Sequence, residues 1–531
     1  MPDTPSPCLR AATLDRLRTG GPFDVVVIGG GATGLGVALD AAARGFSVAL
    51  LEAEDFAKGT SSRATKLVHG GVRYLAQGNV TLVREALRER AILLANAPHL
   101  ASPLPFVLPA YGWRGRLCDI PFYGAGLALY GALAGARGLG RMSLLGRRAL
   151  LDAAPGLEPD GLVGGIRYWD GQFDDARLAV VLARTAIRHG AVVVNHTRVT
   201  GLVHEGGRVA GVQAVDAETG AAIHVAARCV VNATGVWVDD LRHHDEPDAP
   251  ELVTVSQGVH LVVDRDVFPS TTAMLVPKTA DGRVLFAVPW LGKVILGTTD
   301  TPRDDRPLEP RPFTAEIDFI LDEARRRLAA PLSRAIVRSA WAGLRPLVRP
   351  SAATRDTKRI SREHVVAVSP HGLVTVTGGK WTTYRAMAED VLAACMAHGL
   401  LPQRPAGVTR HLRLVGAPPP GTPQSPLSTP PGPHLYGSEA DLLARLPGAD
   451  RWLLPGLSEA MVRFAARHEM ARTVEDVLAR RSRWLFLDAR AAAGAATDVA
   501  AILREELGPA FDADTSAAAF TRLAETFDLT S

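Results

Sequence analysis

The chain has 531 residues, 47% hydrophobic and 21% charged, an ordinary globular composition with ample core for an enzyme of roughly three to four domains. Its formal charge of +4 is mild; it suits an anionic substrate or lipid surface without requiring either. The basic residues are scattered and no basic run is interleaved with aromatics, so nucleic acid is not expected as a partner.

Cys8, Cys118, Cys229 and Cys395 lie far apart with no CxxC spacing, so no metal or dithiol motif is expected and a reducing cytoplasmic setting is the simplest reading. Residues 1–20 are polar and lack the apolar stretch of an export signal.

In chain order, FDVVVI (23–28) predicts a buried parallel strand, residues 35–43 a helix and SVALLE (47–52) a second buried strand, together a βαβ unit. Asn79 is placed to cap a helix running to about residue 95, closed by Pro98. Residues 100–151 are rich in Pro, Gly and Arg and read as an insertion. Within it, residues 120–136 carry no charge but are interrupted by Gly124, Gly126, Gly131 and Gly135. Arg114, Arg116, Arg137, Arg141, Arg147 and Arg148 flank them, as in a segment lying in a lipid interface; a buried helix is the equal alternative.

Residues 177–189 predict a helix and 191–194 an extended run. Stretches 208–215, 221–231, 253–263 and 283–297 predict strands, the last two in an antiparallel substrate-binding sheet. Residues 314–330 predict a helix with an acidic start and an arginine-rich end. A strand over 365–376 and a helix over 383–397 follow. Residues 402–433 are a Pro-rich linker unable to support regular structure, and a separate, mostly helical domain lies beyond.

The chemistry enters at Gly29-Gly30-Gly31-Ala32-Thr33-Gly34, which satisfies GxGxxG between a strand and a helix. Gly29 permits the tight turn, Gly31 lets a pyrophosphate approach the backbone, and Gly34 lets the helix pack on the sheet. Phosphates then meet unpaired amides at the helix N-terminus, and Glu52, ending the second strand, can bind ribose hydroxyls. Later strand ends, Asn232-Ala233-Thr234-Gly235 and Thr377-Gly378-Gly379-Lys380, supply further turns of the kind needed to hold a longer ligand. Together they favour FAD over NAD.

The stretches TSSRATKLVHGGVRYL (60–75), DGQFDDARL (170–178), NATGVWVDD (232–240), PWLGKVILGTTDT (289–301), GLRPL (343–347), GGKWTTYR (378–385) and AARHEMARTVEDVLARRSRWLFLDARAA (465–492) occur in the order found in aerobic FAD-dependent glycerol-3-phosphate dehydrogenases. The chain resembles that family over most of its length. The resemblance implies an α/β (overall α+β) architecture of the D-amino-acid oxidase group. A discontinuous Rossmann-like FAD-binding domain would span 20–100, 160–250 and 345–400, and an antiparallel-sheet substrate domain 101–159 and 251–344. A Pro-rich linker (401–434) and a helical C-terminal domain (435–531) would follow. It implies cofactor contacts from Thr60, Ser61, Ser62, Ala233, Gly235, Gly378, Gly379 and Lys380 besides Gly29, Gly31, Gly34 and Glu52.

A substrate pocket at the flavin face would draw on Arg73, Tyr74, His260, Arg345, Arg355 and Lys380. Arginine's planar fork suits a phosphate dianion, which makes Arg73 and Arg345 the leading candidates. Catalysis would fall to His260, Arg345 and Lys380, with hydride transfer from C2 of sn-glycerol 3-phosphate to flavin N5. His260 and Lys380 both stand as candidate bases. The resemblance further implies a quinone acceptor, an anionic membrane surface and a peripheral place on the inner face of the cytoplasmic membrane; it leaves a homodimer open. Trp381 stands where family members often carry Leu, and could narrow the flavin pocket. A flavin amine or amino-acid oxidase and an oxygen-reducing glycerol-3-phosphate oxidase are the rival readings.

Overall fold

A computed structural model describes residues 6–71, 75, 79–279, 282–349 and 364–530. Two sheets dominate it. The first has eight strands and is centred on Phe23–Ile28, five of whose six residues are buried, as a strand covered on both faces requires. On one side it runs parallel to Val48–Leu51, which runs parallel to Val192–Val194; on the other it runs parallel to Ala222–Asn232, which runs parallel to Leu373–Gly378. His364–Val368 closes the edge antiparallel, so the run expected as one strand over 365–376 is two strands turned near residue 371. Thr197–Glu205 and Arg208–Asp216 extend Ala222–Asn232 as an antiparallel flap.

The expected βαβ unit is present, with its helix at Ala32–Ala43. A Cβ on Gly36 would come within 2.9 Å of the Tyr384 ring, so this glycine lets the helix Tyr384–Ala397 approach closely. The Asn79 cap also forms: its Oδ1 accepts from Leu82 N at 3.1 Å at the start of the helix Val80–Asn96.

The second sheet has ten strands and is antiparallel apart from one pairing, Ala273–Val276 beside Ala101–Tyr111. Val253–Asp264 lies between Val337–Val348 on one side and Lys293–Gly297 and Thr301–Arg303 on the other. Residues 283–297 form a hairpin rather than a single strand, Leu285–Trp290 turning into Lys293–Gly297 through Leu291 and Gly292, both at positive φ. The stretch 100–151, expected as an insertion, begins with a strand integral to this sheet. Ala101–Tyr111 is an eleven-residue strand paired along its length with Leu162–Phe173, which also belongs to this sheet. Pro103, Pro105 and Pro109 mask it in the sequence. They are two and four residues apart, so their missing N–H groups fall on one edge and leave the other free to pair.

After it comes a helix, Gly112–Arg137, 26 residues long with mean hydropathy 1.3 over its most apolar window, of which 22% is buried. Gly124, Leu127, Tyr130 and Ala134 form its buried stripe, so the helix lies along the protein.

Residues 402–432 contain no helix or strand, as their prolines dictate, yet they form a strap and not a loose linker: Leu414, Val415 and Leu427 are buried, and Leu291 N donates to Leu427 O at 2.7 Å. The C-terminal helices then dock through buried charge. Asp55, fully buried, takes guanidinium hydrogen bonds from Arg480 and Arg481, and Asn195 Nδ2 donates to it at 2.9 Å. Arg480 also holds Glu475 at 2.7 Å and Asp476 at 2.8 Å. Asp55→Ala would leave two guanidinium groups buried without their shared carboxylate, a loss of about 3–5 kcal/mol. The variant is expected to melt several degrees below the parent in circular dichroism; an unchanged melting temperature would show that the cluster does not hold the domains together.

Candidate active site

A cavity of about 700 Å³ runs between the two sheets. Its outer part is built from the Gly-rich turn. Gly29 has φ +106°, and a Cβ there would sit 2.7 Å from Ala233 O; on Gly34 it would sit 1.9 Å from Gly29 O, so both positions exclude side chains. On Gly31 it would meet only Ser61 Oγ, at 3.1 Å, and this residue opens on the cavity just before the helix Ala32–Ala43. Ala32 N donates to that Ser61 Oγ at 3.0 Å. Glu52 lines the wall, its carboxylate accepting from Gly30 N at 2.5 Å and Glu54 N at 2.8 Å. Burial raises its pKa against the opposing pull of these two amides.

The inner end is built by strand alternation. In the register of Val253–Asp264 against Val337–Val348, Ser256 faces Arg345, Gly258 faces Gly343 and His260 faces Trp341, so all these side chains share one face. His260 is stacked on Trp341 with ring centroids 5.4 Å apart, and its Nε2 is 2.9 Å from Thr65 Oγ1. Its Nδ1 is buried without a hydrogen-bond partner among the described residues. Burial, reinforced by the positive charges of Lys66 and Arg345, holds this imidazole well below its ordinary pKa. Arg345 Nη2 donates to Thr298 Oγ1 at 3.0 Å, and Nη1 lies 3.6 Å from Asp300. The guanidinium occupies the space that a Cβ on Gly258 would need, only 2.0 Å away.

The cavity thus brings together Gly29, Gly31, Glu52, Thr60, Ser61, Ala233, Gly235, His260, Arg345, Gly378, Gly379 and Lys380. Gly34 and Ser62 lie behind its wall. Gly34 serves the helix packing expected of it, and the Ser62 carbonyl accepts from Lys66 Nζ at 2.7 Å and Arg483 Nη2 at 2.9 Å. Arg73, Tyr74 and Arg355 fall outside the described residues. Trp381 lines the cavity and is a brace: its Nε1 donates to Ser61 O at 2.8 Å and its ring meets Phe173 and Tyr384 edge-on.

Sequence reasoning missed Gly258, whose lack of a side chain admits Arg345, and the fully buried Lys66, which burial pushes down to about 7 despite its ion pair with Asp175 at 2.7 Å. Gly258 stood two residues before His260, a spacing that places both on one strand face.

The residues present fit FAD. A glycine turn at a helix N-terminus, a second glycine turn at 378–379 and the Glu52 carboxylate beside the first turn all open on the cavity. Such a cavity between a parallel and an antiparallel sheet defines an FAD-dependent oxidoreductase. Residues 24–385 match the family described as FAD dependent oxidoreductase, and residues 433–513 match the C-terminal domain of alpha-glycerophosphate oxidase.

The chain is 41% identical to the mitochondrial glycerol-3-phosphate dehydrogenase of Macaca fascicularis over 94% of its own length and 73% of that protein. It is also similar to the X-ray structure of glycerol-3-phosphate dehydrogenase from Bacillus halodurans complexed with FAD, with TM-score 0.77 and 30% identity over 98% of this chain and 97% of that one. The glycine oxidase of Geobacillus kaustophilus shares the fold alone, with TM-score 0.52 and 21% identity over 72% of this chain and 95% of that one. The chain belongs to the FAD-dependent glycerol-3-phosphate dehydrogenases.

Gly258→Ala drives a methyl group into the Arg345 guanidinium. The variant is expected to keep its flavin absorbance while its affinity for inorganic phosphate, read from perturbation of the flavin spectrum, falls by about tenfold or more, as for one lost charge-assisted hydrogen bond. Phosphate binding equal to the parent's would mean that the guanidinium does not reach a bound anion.

Proposed function

We propose that this protein oxidises sn-glycerol 3-phosphate to dihydroxyacetone phosphate and delivers the electrons to a quinone at an anionic membrane surface. The observation that carries the reading is the shared face of His260 and Arg345 at the inner end of the cofactor cavity. Arg345 and Lys380 supply positive charge for the substrate phosphate, and the family resemblance adds Arg73 and Arg355 as further cations and Tyr74 as a neutral hydrogen-bonding contact. Arginine's fork suits a phosphate in two-pronged contact.

Oxidation at C2 removes a hydride from carbon and a proton from the hydroxyl. FAD, when bound, supplies the hydride acceptor at its N5. The proton falls to His260: its depressed pKa keeps the ring neutral, so it meets the hydroxyl as an acceptor, and Nδ1 has no other hydrogen-bond partner among the described residues. Stacking on Trp341 and the contact with Thr65 fix the ring. Thr60, Ser61, Ala233, Gly235, Gly378 and Gly379 would hold the cofactor, with Gly29 and Gly31 available to its pyrophosphate and Glu52 to its ribose.

The membrane reading rests on the helix Gly112–Arg137. Trp113, Leu117 and Phe122 are each at least two-thirds exposed, and Leu129 and, on the neighbouring strand, Leu144 are also exposed. Arg114, Arg116, Arg137, Arg141, Arg147 and Arg148, all exposed, flank them in sequence. Aromatic and aliphatic side chains flanked by guanidinium groups suit a lipid interface with anionic headgroups, which supports a peripheral place on the inner face of the cytoplasmic membrane. One observation favours a second acceptor, oxygen: the C-terminal match to an alpha-glycerophosphate oxidase domain. Peroxide formed in step with substrate loss would select it.

The purified yellow protein is expected to bleach anaerobically on adding sn-glycerol 3-phosphate, and Arg345→Ala to retain FAD while flavin reduction slows at least tenfold. Bleaching by glycine or a D-amino acid instead, or an unslowed variant, would refute the assignment. In flotation with phosphatidylglycerol vesicles the parent is expected to rise with the lipid and Trp113→Asp/Phe122→Asp to stay behind; equal flotation of both would exclude this helix as the anchor.

A further inference from the structure

Outside the active site, two side-chain clusters gather three potential metal ligands each among the described residues. In one, Asp55, His196 and Asp476, the carboxylates are already saturated. Arg480 and Arg481 bind Asp55, while Asp476 accepts from His196 at 2.9 Å, Arg472 N at 2.8 Å, Thr473 N at 3.1 Å and Arg480 at 2.8 Å. Each carboxylate oxygen there already accepts at least one hydrogen bond.

The other cluster differs in each respect. His204 lies on the flap strand Thr197–Glu205, Asp245 ends the helix Val238–Asp245, and His371 sits in the turn before Leu373–Gly378. His204 Nε2 is 2.8 Å and His371 Nδ1 3.1 Å from the same oxygen, Asp245 Oδ1. The two imidazoles stand at right angles with centroids 5.8 Å apart. All three ligand atoms lie within 4.8 Å of one another. The Asp245 side chain is 1% exposed and its Oδ2 is buried without a hydrogen-bond partner among the described residues, whereas the histidine side chains are 34% and 41% exposed. A buried carboxylate oxygen left bare is costly unless a further ligand satisfies it.

We propose that His204, Asp245 and His371 form a site for a late first-row divalent cation, zinc above all, which clips the antiparallel flap to the cofactor domain. Two imidazoles and one carboxylate are a borderline donor set that suits zinc and disfavours magnesium or calcium, which take oxygen ligands. Tetrahedral zinc with bonds of about 2.0–2.1 Å needs ligand atoms roughly 3.3 Å apart; the two histidine contacts to Asp245 would widen by a few tenths of an ångström, and the two imidazole nitrogens, within 4.8 Å of each other, would settle at the same spacing. The exposed side of the histidines leaves a fourth position for water. The helix that ends at Asp245 also contributes Asp240, Leu241 and His244 to the wall of the cofactor cavity, and the flap contributes Arg198 and Val199. Metal would therefore tie two walls of that cavity together from outside, and should slow loss of FAD.

The test uses tag-free holoenzyme stripped with chelator, equilibrated with micromolar Zn²⁺, gel-filtered and assayed for metal by mass spectrometry. About one zinc per chain is expected, falling below about one-fifth in His204→Gln and in His371→Gln with the circular dichroism spectrum unchanged. Zinc is expected to raise the melting temperature of the parent alone, and Mg²⁺ not to bind. Should either variant fold poorly, Co²⁺ added to the parent reports directly, as tetrahedral cobalt absorbs at wavelengths beyond the flavin bands. A parent that binds no zinc, a variant that retains it, or cobalt without the tetrahedral spectrum overturns the proposal.

Discussion

The inner end of the cavity depends on one carboxylate with no exposure to solvent. Asp175 begins the helix Asp175–Arg188 and accepts from Lys66 Nζ at 2.7 Å, Arg483 Nη2 at 3.1 Å and the backbone amides of Ala64 at 3.2 Å and Ala176 at 2.9 Å. A buried charge of this kind is tolerated only when its partners are fixed, and here they come from two distant parts of the chain besides its own helix. Lys66 takes a left-handed backbone conformation, φ +65°, that lysine rarely adopts without support from its surroundings. Its ammonium sits 5.3–5.4 Å from the ring centres of Trp290, Trp341 and Phe486. The loop so held carries Thr65, and Thr65 holds His260.

This explains why the C-terminal helices are part of the site although none of their residues lines the cavity. Arg483 supports Asp175 and the Ser62 carbonyl, while Arg480 and Arg481 hold Asp55 on the loop just after Glu52. Removing the C-terminal domain would therefore leave bare charges beneath the cofactor loop, a cost distinct from the apolar area it also covers.

What could be read in the sequence was local. The glycine turn, Glu52 and the two later turns announce themselves because one short segment contains both the motif and its structural context, and the structure gathers them in one cavity. The strand Ala101–Tyr111 was hidden because proline lowers strand propensity residue by residue, while what matters is which edge loses its donors. The hairpin within 283–297 was hidden because both arms are buried and the turn residues Leu291 and Gly292 are few. Lys66, Asp175 and Arg483 could not be joined from sequence, since no periodicity links positions separated by more than a hundred residues. The same holds for His204, Asp245 and His371, which have none of the close spacing that marks a metal motif.

The apolar helix is coupled to the site through buried hydrogen bonds. Tyr130, on the buried stripe of Gly112–Arg137, donates its hydroxyl to Asp170 at 2.8 Å and accepts from Gly70 N at 2.8 Å. Asp170 is held in turn by Arg90 at 2.8 Å, and Arg90 Nη2 reaches the carbonyl of Arg137 at the helix end. Burial raises the carboxyl of Asp170 and the phenol of Tyr130, so the hydroxyl proton stays in place as a donor. A Cβ on Gly70 would meet the Tyr130 hydroxyl at 2.5 Å, which is why this glycine abuts the helix directly. Gly70 follows His69, which lines the cavity. The helix is thus fastened to the loop beside the cofactor by a closed polar network in a low-dielectric setting, where a displaced donor has no water to replace it. Movement of the helix on its outer surface must either carry that loop with it or break hydrogen bonds buried from solvent.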